Sequence, residues 1–163
     1  MIKKLLPAFA ALLIVIFYSS CRVIDNGCGF VLDPAIKAPD SEIVRLDKFI
    51  TDNGITGFTK HSSGLYYKIT NPGTGNFPDQ CNLVGVTYTG KLTNGTVFDA
   101  SATTVYLSLK DLILGWRVGL PLIKSGGSIQ LYIPPDFGYG NKASGSIPAN
   151  SILYFDVSLN AVK

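Results

Sequence analysis

The sequence predicts an α+β fold in which a curved antiparallel β-sheet wraps around one short central α-helix, with a further short helix ahead of it. Several segments alternate apolar and polar residues with a period of two, as half-buried strands do. Turn signals separate these segments, and the chain contains 17 Gly and 9 Pro. One stretch among them, residues 108–120, has helical spacing instead. Strands on both sides of a single short helix indicate a sheet with that helix on its concave face.

The strands are bounded by turn residues. Asn94-Gly95 is a strong signal for a tight hairpin turn, and it joins two of the segments. It also begins a glycosylation acceptor triplet, but the turn explains it without a further assumption. The predicted strands are Leu65–Ile69, Leu83–Leu92, a return strand that starts at Val97–Asp99, Ser128–Ile133 and Ser151–Val162.

Two helices are predicted. Asp40 or Ser41 can cap the first, and Asn53-Gly54 ends it. Its apolar face comprises Ile43, Leu46, Phe49 and Ile50. Packing on the domain is the simpler role for this helix, and dimerisation is the alternative. Ser108 and Asp111 resemble a capping box that opens the second helix. The apolar side of that helix comprises Leu112, Ile113, Trp116 and Leu120.

The N-terminus has the order of an export signal. Lys3 and Lys4 precede an apolar run, Leu5–Tyr18, that is shorter than the roughly 20 residues of a membrane-spanning helix. Small residues then precede Cys21, which resembles the lipobox of bacterial lipoproteins, in which the cysteine is acylated. An ordinary signal peptide with a chance cysteine is the alternative. Arg22 is not the Asp that retains such lipoproteins in the inner membrane, so we expect a lipid anchor in the outer membrane, facing the periplasm, with display at the cell surface as the alternative.

The other two cysteines, Cys28 and Cys81, would be exported with the chain. An oxidising compartment permits a disulfide between them, and two free thiols are an equal alternative. The resulting organisation is a signal peptide at 1–20, a tether at 21–39, a helical lead-in at 40–63 and one folded domain at 64–163.

Composition excludes several functional classes. Without Lys3 and Lys4 the formal charge of +3 falls to +1, which leaves no basic stripe for nucleic acid. The chain has one histidine, His61, and no phosphate-loop, dinucleotide, metal-ligand or nucleophile-elbow motif. We therefore expect neither a cofactor nor a metal. What remains is a set of aromatic residues beside one acid, Asp99, at strand ends and in a loop, where the lining of a pocket would lie.

Three groups of motifs follow one another along the chain. The first comprises Val86–Leu92, Asn94-Gly95 and Phe98-Asp99. The second comprises Ile113, Gly115-Trp116 and Gly119-Leu120. The third comprises Ile133–Gly140, Ile147-Pro148 and Leu153–Val157. Together they resemble the signatures of FKBP-type peptidyl-prolyl cis/trans isomerases over residues 64–163.

The resemblance implies an FKBP-like fold and a proline-binding pocket. The family's pocket residues fall on Tyr88, Phe98, Asp99, Ile113, Trp116, Tyr139, Ile147 and Phe155. Val105 takes the place of an aromatic residue found in some members. Trp116 would form the floor, while the Tyr139 hydroxyl and the Ile113 N–H would bind substrate carbonyls. The segment Ala100–Thr104 lacks the Arg that pairs with the acid in eukaryotic members.

The implied function is isomerisation of X-Pro bonds in unfolded or exported polypeptides, which would assist the folding of envelope proteins. A macrolide inhibitor is a candidate ligand, although the missing Arg bears on its affinity. Two alternatives stay open. One is a non-catalytic chaperone or binding module with the same pocket, and the other is a structural envelope lipoprotein. A turnover assay distinguishes the enzyme from the binding module. Loss of phenotype on mutation of the pocket distinguishes the enzyme from the structural lipoprotein.

Overall fold

The computed structural model describes residues 32–163, and its main element is a six-stranded antiparallel sheet. The strands are β1 (Thr59–Lys60), β2 (Tyr66–Asn71), β3 (Leu83–Leu92), β4 (Val97–Ser108), β5 (Gly127–Ile133) and β6 (Leu153–Val162). Their order across the sheet is β1-β2-β5-β6-β3-β4, so β1 and β4 form the two edges. The predicted antiparallel α+β fold is confirmed.

Two α-helices accompany the sheet, α1 (Asp40–Asp52) and α2 (Leu114–Gly119). Short 3₁₀ turns lie at Leu109–Asp111, Leu120–Leu122 and Pro135–Phe137. No helix within residues 32–163 is long and apolar enough to cross a membrane. Residues 1–31, which contain the predicted signal peptide, Cys21 and Cys28, lie outside the described part of the chain.

The main core lies between α2 and one face of the sheet. Along β5, Ile129, Leu131 and Ile133 are fully buried on this face because side chains alternate across a strand. The helix approaches closely: a Cβ atom at Gly115 would lie 2.5 Å from Ile133 Cδ1, and one at Gly119 2.8 Å from Leu131 Cδ1. Glycine at these two positions therefore lets α2 and its Trp116 pack directly on the strands.

Helix α1 and outward-facing residues of the sheet form a second, smaller hydrophobic cluster. Leu46 and Ile50 are buried against Ile152, with Tyr66 and Tyr132 beside them. Polar contacts add to the attachment, since Asp47 accepts hydrogen bonds from Lys60 Nζ at 2.7 Å and from the Tyr66 hydroxyl at 2.9 Å. The helix is thus packed on the sheet rather than left as a free arm.

The structure corrects two predicted caps. Pro39 occupies the N-cap of α1, and Asp40 lies in its first turn, where the carboxylate pairs with Lys37 Nζ at 2.6 Å. The backbone of Pro39 is extended, with φ −52° and ψ 137°, and no side chain caps the helix. The side chain of Ser108 makes no capping hydrogen bond. The chain forms a 3₁₀ turn there, extends at Leu112, and only then begins α2.

Candidate active site

A cavity of about 90 Å³ lies between the sheet and α2. We call it the aromatic cavity. Strands β3, β4 and β6, the start of α2 and the loop after the third 3₁₀ turn all contribute to it. Its lining residues are Tyr88, Asp99, Leu107, Leu112, Ile113, Trp116, Tyr139 and Phe155. The sequence-based site is therefore largely brought together, although its residues come from five separate segments.

The aromatic rings meet edge to face. Trp116 is 3% exposed, and its ring lies 5.1 Å from that of Tyr88 and 5.3 Å from that of Phe155. The interplanar angles of 86° and 84° place ring edges against ring faces, which is the favoured arrangement for aromatic pairs. These contacts fix the position of each ring, so the cavity has a shape before any ligand enters.

The polar side of the cavity is formed by Tyr88 and Asp99 on the neighbouring strands β3 and β4. Tyr88 is directly opposite Ser101, which makes Asp99 its diagonal neighbour. The Tyr88 hydroxyl donates a hydrogen bond of 2.8 Å to Asp99 Oδ2. Burial, together with this carboxylate, raises the pKa of Tyr88 to about 12. The phenol therefore stays protonated and continues to donate throughout the physiological pH range.

Asp99 itself is exposed at the rim of the cavity. Within residues 32–163 no lysine or arginine forms an ion pair with it. Tyr88 supplies its side-chain hydrogen bond instead. The aromatic cavity thus presents a carboxylate held by a neutral phenol.

Two hydrogen-bond donors are available to a ligand. Tyr139 is 41% exposed at the rim of the cavity. Partial burial raises the pKa of its hydroxyl, and the negative charge of Asp99 contributes a smaller rise. Ile113 is the N-cap residue of α2, and its backbone N–H has no acceptor among residues 32–163. Both groups are neutral donors beside an apolar surface.

Two of the predicted residues, Phe98 and Ile147, are not among the lining residues of the cavity. Phe98 packs edge-on against Phe155, with ring centroids 5.4 Å apart. Ile147 is 5% exposed and belongs to the main core. Val105 also packs against that core, and the cavity is lined by Leu107 instead.

Sequence reasoning missed Leu107 and Leu112 as lining residues. The alternation that identifies Val97–Asp99 as a strand fades in the polar run 100–104, so the sequence does not predict that the strand continues to Leu107. The spacing of apolar residues predicts that Leu112 lies on a continuous helix, where an apolar side chain would pack in the core. The chain is extended at that residue, which brings Leu112 to the cavity.

The chemistry that these residues can perform is limited to binding and solvation. The lining contains one carboxylate, two phenols, the indole of Trp116 and four hydrocarbon side chains. No nucleophile paired with a base occurs among the lining residues of the cavity, and no cluster of metal ligands occurs among residues 32–163. A dry aromatic surface with a few neutral donors can hold a small apolar ring and change the solvation of an attached amide.

Comparison with known proteins identifies the family. Residues 75–160 match the family model described as FKBP-type peptidyl-prolyl cis-trans isomerase. The chain is 49% identical over 111 residues to the FKBP-type isomerase FkpA of Buchnera aphidicola from Schizaphis graminum, which covers 66% of this chain and 44% of that protein. It is 40% identical over 120 residues to FkpA of Escherichia coli K12, covering 72% and 43%. The chain thus spans less than half the length of these curated relatives.

Solved structures agree with this result. The peptidyl-prolyl cis-trans isomerase of Pseudomonas syringae superposes with a TM-score of 0.67 at 30% identity, covering 78% of this chain and 98% of that one. FkpA from Escherichia coli superposes with a TM-score of 0.68 at 37% identity, covering 76% and 60%. The matched family model spans more than half of the sequence and includes the strands and α2 that line the aromatic cavity. The chain therefore belongs to the family of FKBP-type peptidyl-prolyl cis-trans isomerases.

Proposed function

We propose that this chain catalyses cis/trans isomerisation of X-Pro peptide bonds, with the proline ring bound in the aromatic cavity. The observation that carries the proposal is the convergence of Tyr88, Trp116 and Phe155 around a small space that is rimmed by neutral donors. A pyrrolidine ring is compact and apolar, so it suits an aromatic surface of this kind better than a polar side chain would.

The energetic demand on such a site is modest. Rotation about an X-Pro bond breaks no covalent bond, and its barrier arises from lost amide resonance. The planar amide is more polar than the twisted one, so transfer from water to a dry cavity favours the twisted form. An acceleration of ~10³-fold corresponds to about 4 kcal/mol. Desolvation together with one or two hydrogen bonds can supply that amount.

The residues have separate roles in this mechanism. Trp116 forms the floor under the proline ring. The Ile113 N–H and the Tyr139 hydroxyl bind the carbonyls on either side of the rotating bond. We assign Phe98 and Ile147 a supporting role, since Phe98 packs on the lining residue Phe155 and Ile147 is buried in the main core.

The substrates that we propose are proline-containing segments of unfolded or exported polypeptides, with an apolar residue preferred before the proline. Leu107 and Leu112 support that preference because they extend the apolar lining beyond the aromatic rings. A macrolide that carries a similar ring is a candidate competitor. In this role the chain would assist the folding of envelope proteins.

The location that we propose is the periplasmic face of the outer membrane, through acylation of Cys21. The sequence order of basic residues, apolar run and small residues before that cysteine supports the assignment. One acyl chain binds membranes only marginally, so the two or three chains of a lipoprotein would be needed for stable anchoring. Mass spectrometry of the native protein should find an acylated N-terminal peptide beginning at Cys21, and a mature N-terminus elsewhere contradicts the proposal.

An isomerase assay on proline peptides tests the enzymatic part. The full chain, purified in detergent, should accelerate isomerisation of a peptide with Leu before Pro well above the detergent-matched buffer. Saturable peptide binding without acceleration would favour the alternative role of a non-catalytic binding module.

A further inference from the structure

Helix α1 contacts the loop that carries Tyr139 at both of its ends. We call residues 138–149 the Tyr139 loop; they connect the 3₁₀ turn Pro135–Phe137 with the approach to β6. The loop is largely exposed, with most of its residues between 139 and 150 open to solvent. Tyr139 is the loop residue that lines the aromatic cavity. The position of its hydroxyl therefore depends on how the ends of the loop are held.

The first end is held by Glu42. Its Oε2 atom accepts a hydrogen bond of 2.9 Å from the backbone N–H of Asp136, ninety-four residues away in sequence. Asp136 lies in the 3₁₀ turn that immediately precedes Gly138 and Tyr139. A carboxylate that accepts from a backbone N–H makes a charge-assisted hydrogen bond, which is stronger than a neutral one.

The second end is held by Arg45, one helical turn further along α1. Its Nη2 atom donates a hydrogen bond of 2.7 Å to the carbonyl oxygen of Asn150. Asn150 has a φ of +59°, a left-handed conformation that Asn adopts more readily than most residues other than glycine. Its own N–H donates to the Gly140 carbonyl at 2.8 Å, which closes the neck of the loop next to Tyr139.

These hydrogen bonds link α1, the 3₁₀ turn and both ends of the Tyr139 loop into one network. Gly140 also donates its N–H to the Pro135 carbonyl at 2.8 Å, which ties the neck back to the 3₁₀ turn. Residues 42 and 45 are three apart, so they lie on the same side of the helix. Buried Leu46 and Ile50 fix that helix on the sheet. The helix therefore presents an acceptor and a donor at a fixed spacing to the two ends of one loop.

We propose that Glu42 and Arg45 are positioning residues of the isomerase, which hold the Tyr139 loop in its substrate-binding arrangement. Helix α1 lies outside the matched family region of residues 75–160. Neither side chain lines the aromatic cavity. Release of either end lowers the fraction of molecules in which Tyr139 is placed to bind substrate, and apparent affinity falls by that fraction.

The proposal rests on the proposed isomerase function, and kinetics of four single variants in the full chain test it. Glu42→Ala and Arg45→Met each remove one contact. Glu42→Gln retains an oxygen that can accept from Asp136. Lys48→Met is the matched control, because it also removes one positive charge from α1 but pairs only with Asp52 on the same helix. We expect Glu42→Ala and Arg45→Met to lower kcat/KM about fivefold, mainly through KM, with Glu42→Gln and Lys48→Met within about twofold of wild type.

Limited proteolysis gives a readout that does not depend on activity. Lys142 lies exposed within the Tyr139 loop, so trypsin can cut after it when the loop opens. Cleavage at Lys142 should be faster in Glu42→Ala and Arg45→Met than in the other proteins. The proposal is overturned if both variants match Lys48→Met in KM and in cleavage at Lys142, or if Glu42→Gln is as impaired as Glu42→Ala. An inactive wild-type chain would refute the isomerase function instead, and the cleavage rates would still decide whether α1 holds the loop.

Discussion

The Tyr88 hydroxyl and the Asp99 carboxylate lie 2.8 Å apart on neighbouring strands, and this hydrogen bond joins the aromatic floor of the cavity to its acidic rim. The Tyr88 ring also packs edge-on against Trp116. One side chain therefore positions both the apolar and the charged part of the site. Because no lysine or arginine within residues 32–163 pairs with Asp99, this phenol takes on the orienting role that a cation could fill.

This relationship predicts that Tyr88 and Asp99 act as a unit. Tyr88→Phe keeps the ring and removes the donor, so kcat/KM should fall about three- to fivefold, as expected for one hydrogen bond of about 1 kcal/mol. Asp99→Leu should cost more. The two changes combined should be no worse than Asp99→Leu alone, because the lost interaction is the same. Full additivity in this double-mutant cycle would show that the phenol acts independently of the carboxylate.

A second prediction concerns the packing of Phe98 against Phe155, which lines the cavity. A Cβ atom at Gly90 would lie 2.7 Å from Phe98 Cζ and 2.8 Å from Phe155 Cε1, so Gly90→Ala should force both rings to shift. Overpacking of this kind typically costs about 1–3 kcal/mol of stability. We expect a lower Tm and reduced isomerase activity. Adding Phe98→Leu should restore part of both by removing ring atoms. No recovery in the double variant would mean that the rings do not transmit the effect.

The third prediction concerns alkaline pH. Three tyrosines have their pKa raised to about 12, namely Tyr66, Tyr88 and Tyr154. Burial is the larger cause in each case, and a nearby carboxylate adds to it. The unfolded chain would release these protons near pH 10, so the contribution to stability is complete below pH 10 and is lost as pH rises towards 12. Urea unfolding between pH 8 and 11.5 should show this decline. Tyr154→Phe should make it shallower, and an unchanged slope would contradict the assignment.

The fourth prediction concerns the cysteines. Cys81 is disulfide-bonded in the structure, and Cys28 lies outside the described residues. We predict that the two are partners, which would close a loop of more than fifty residues and stabilise the chain by about 4 kcal/mol. Thiol labelling of the unfolded, non-reduced mature protein should find no free thiol, and the Cys28→Ser variant should expose one. Two labelled thiols in the wild type would rule out the bridge.

The sequence predicts the fold well where local and tertiary preferences agree. Strand β3 begins and ends where predicted because its alternation runs unbroken to the Asn94-Gly95 turn. For strand β4 the sequence predicts only the start at Val97–Asp99, since the polar run 100–104 owes its strand conformation to pairing with β3 rather than to its own pattern. The register shift between Val86 and Tyr88 shows that extra residues bulge from β4 in this stretch.

The sequence predicts the site residues that lie in family motifs. It does not predict those whose place in the site depends on the geometry of the backbone. Tyr88, Asp99, Trp116 and Phe155 follow from the motifs and line the cavity. Glu42 lies outside these motifs. Its contact with Asp136 depends on how α1 packs across the sheet, which no local pattern encodes.

The most direct test of the account is an NMR exchange measurement of cis/trans interconversion in a Leu-Pro peptide, with and without catalytic amounts of the full chain. Three proteins should be compared: wild type, Leu112→Trp, which fills the aromatic cavity, and Val44→Trp, which adds the same bulk at an exposed position of α1. The account predicts rapid exchange with wild type and Val44→Trp, and exchange near the uncatalysed rate with Leu112→Trp. Equal exchange with all three proteins would contradict the claim that the aromatic cavity is the catalytic site.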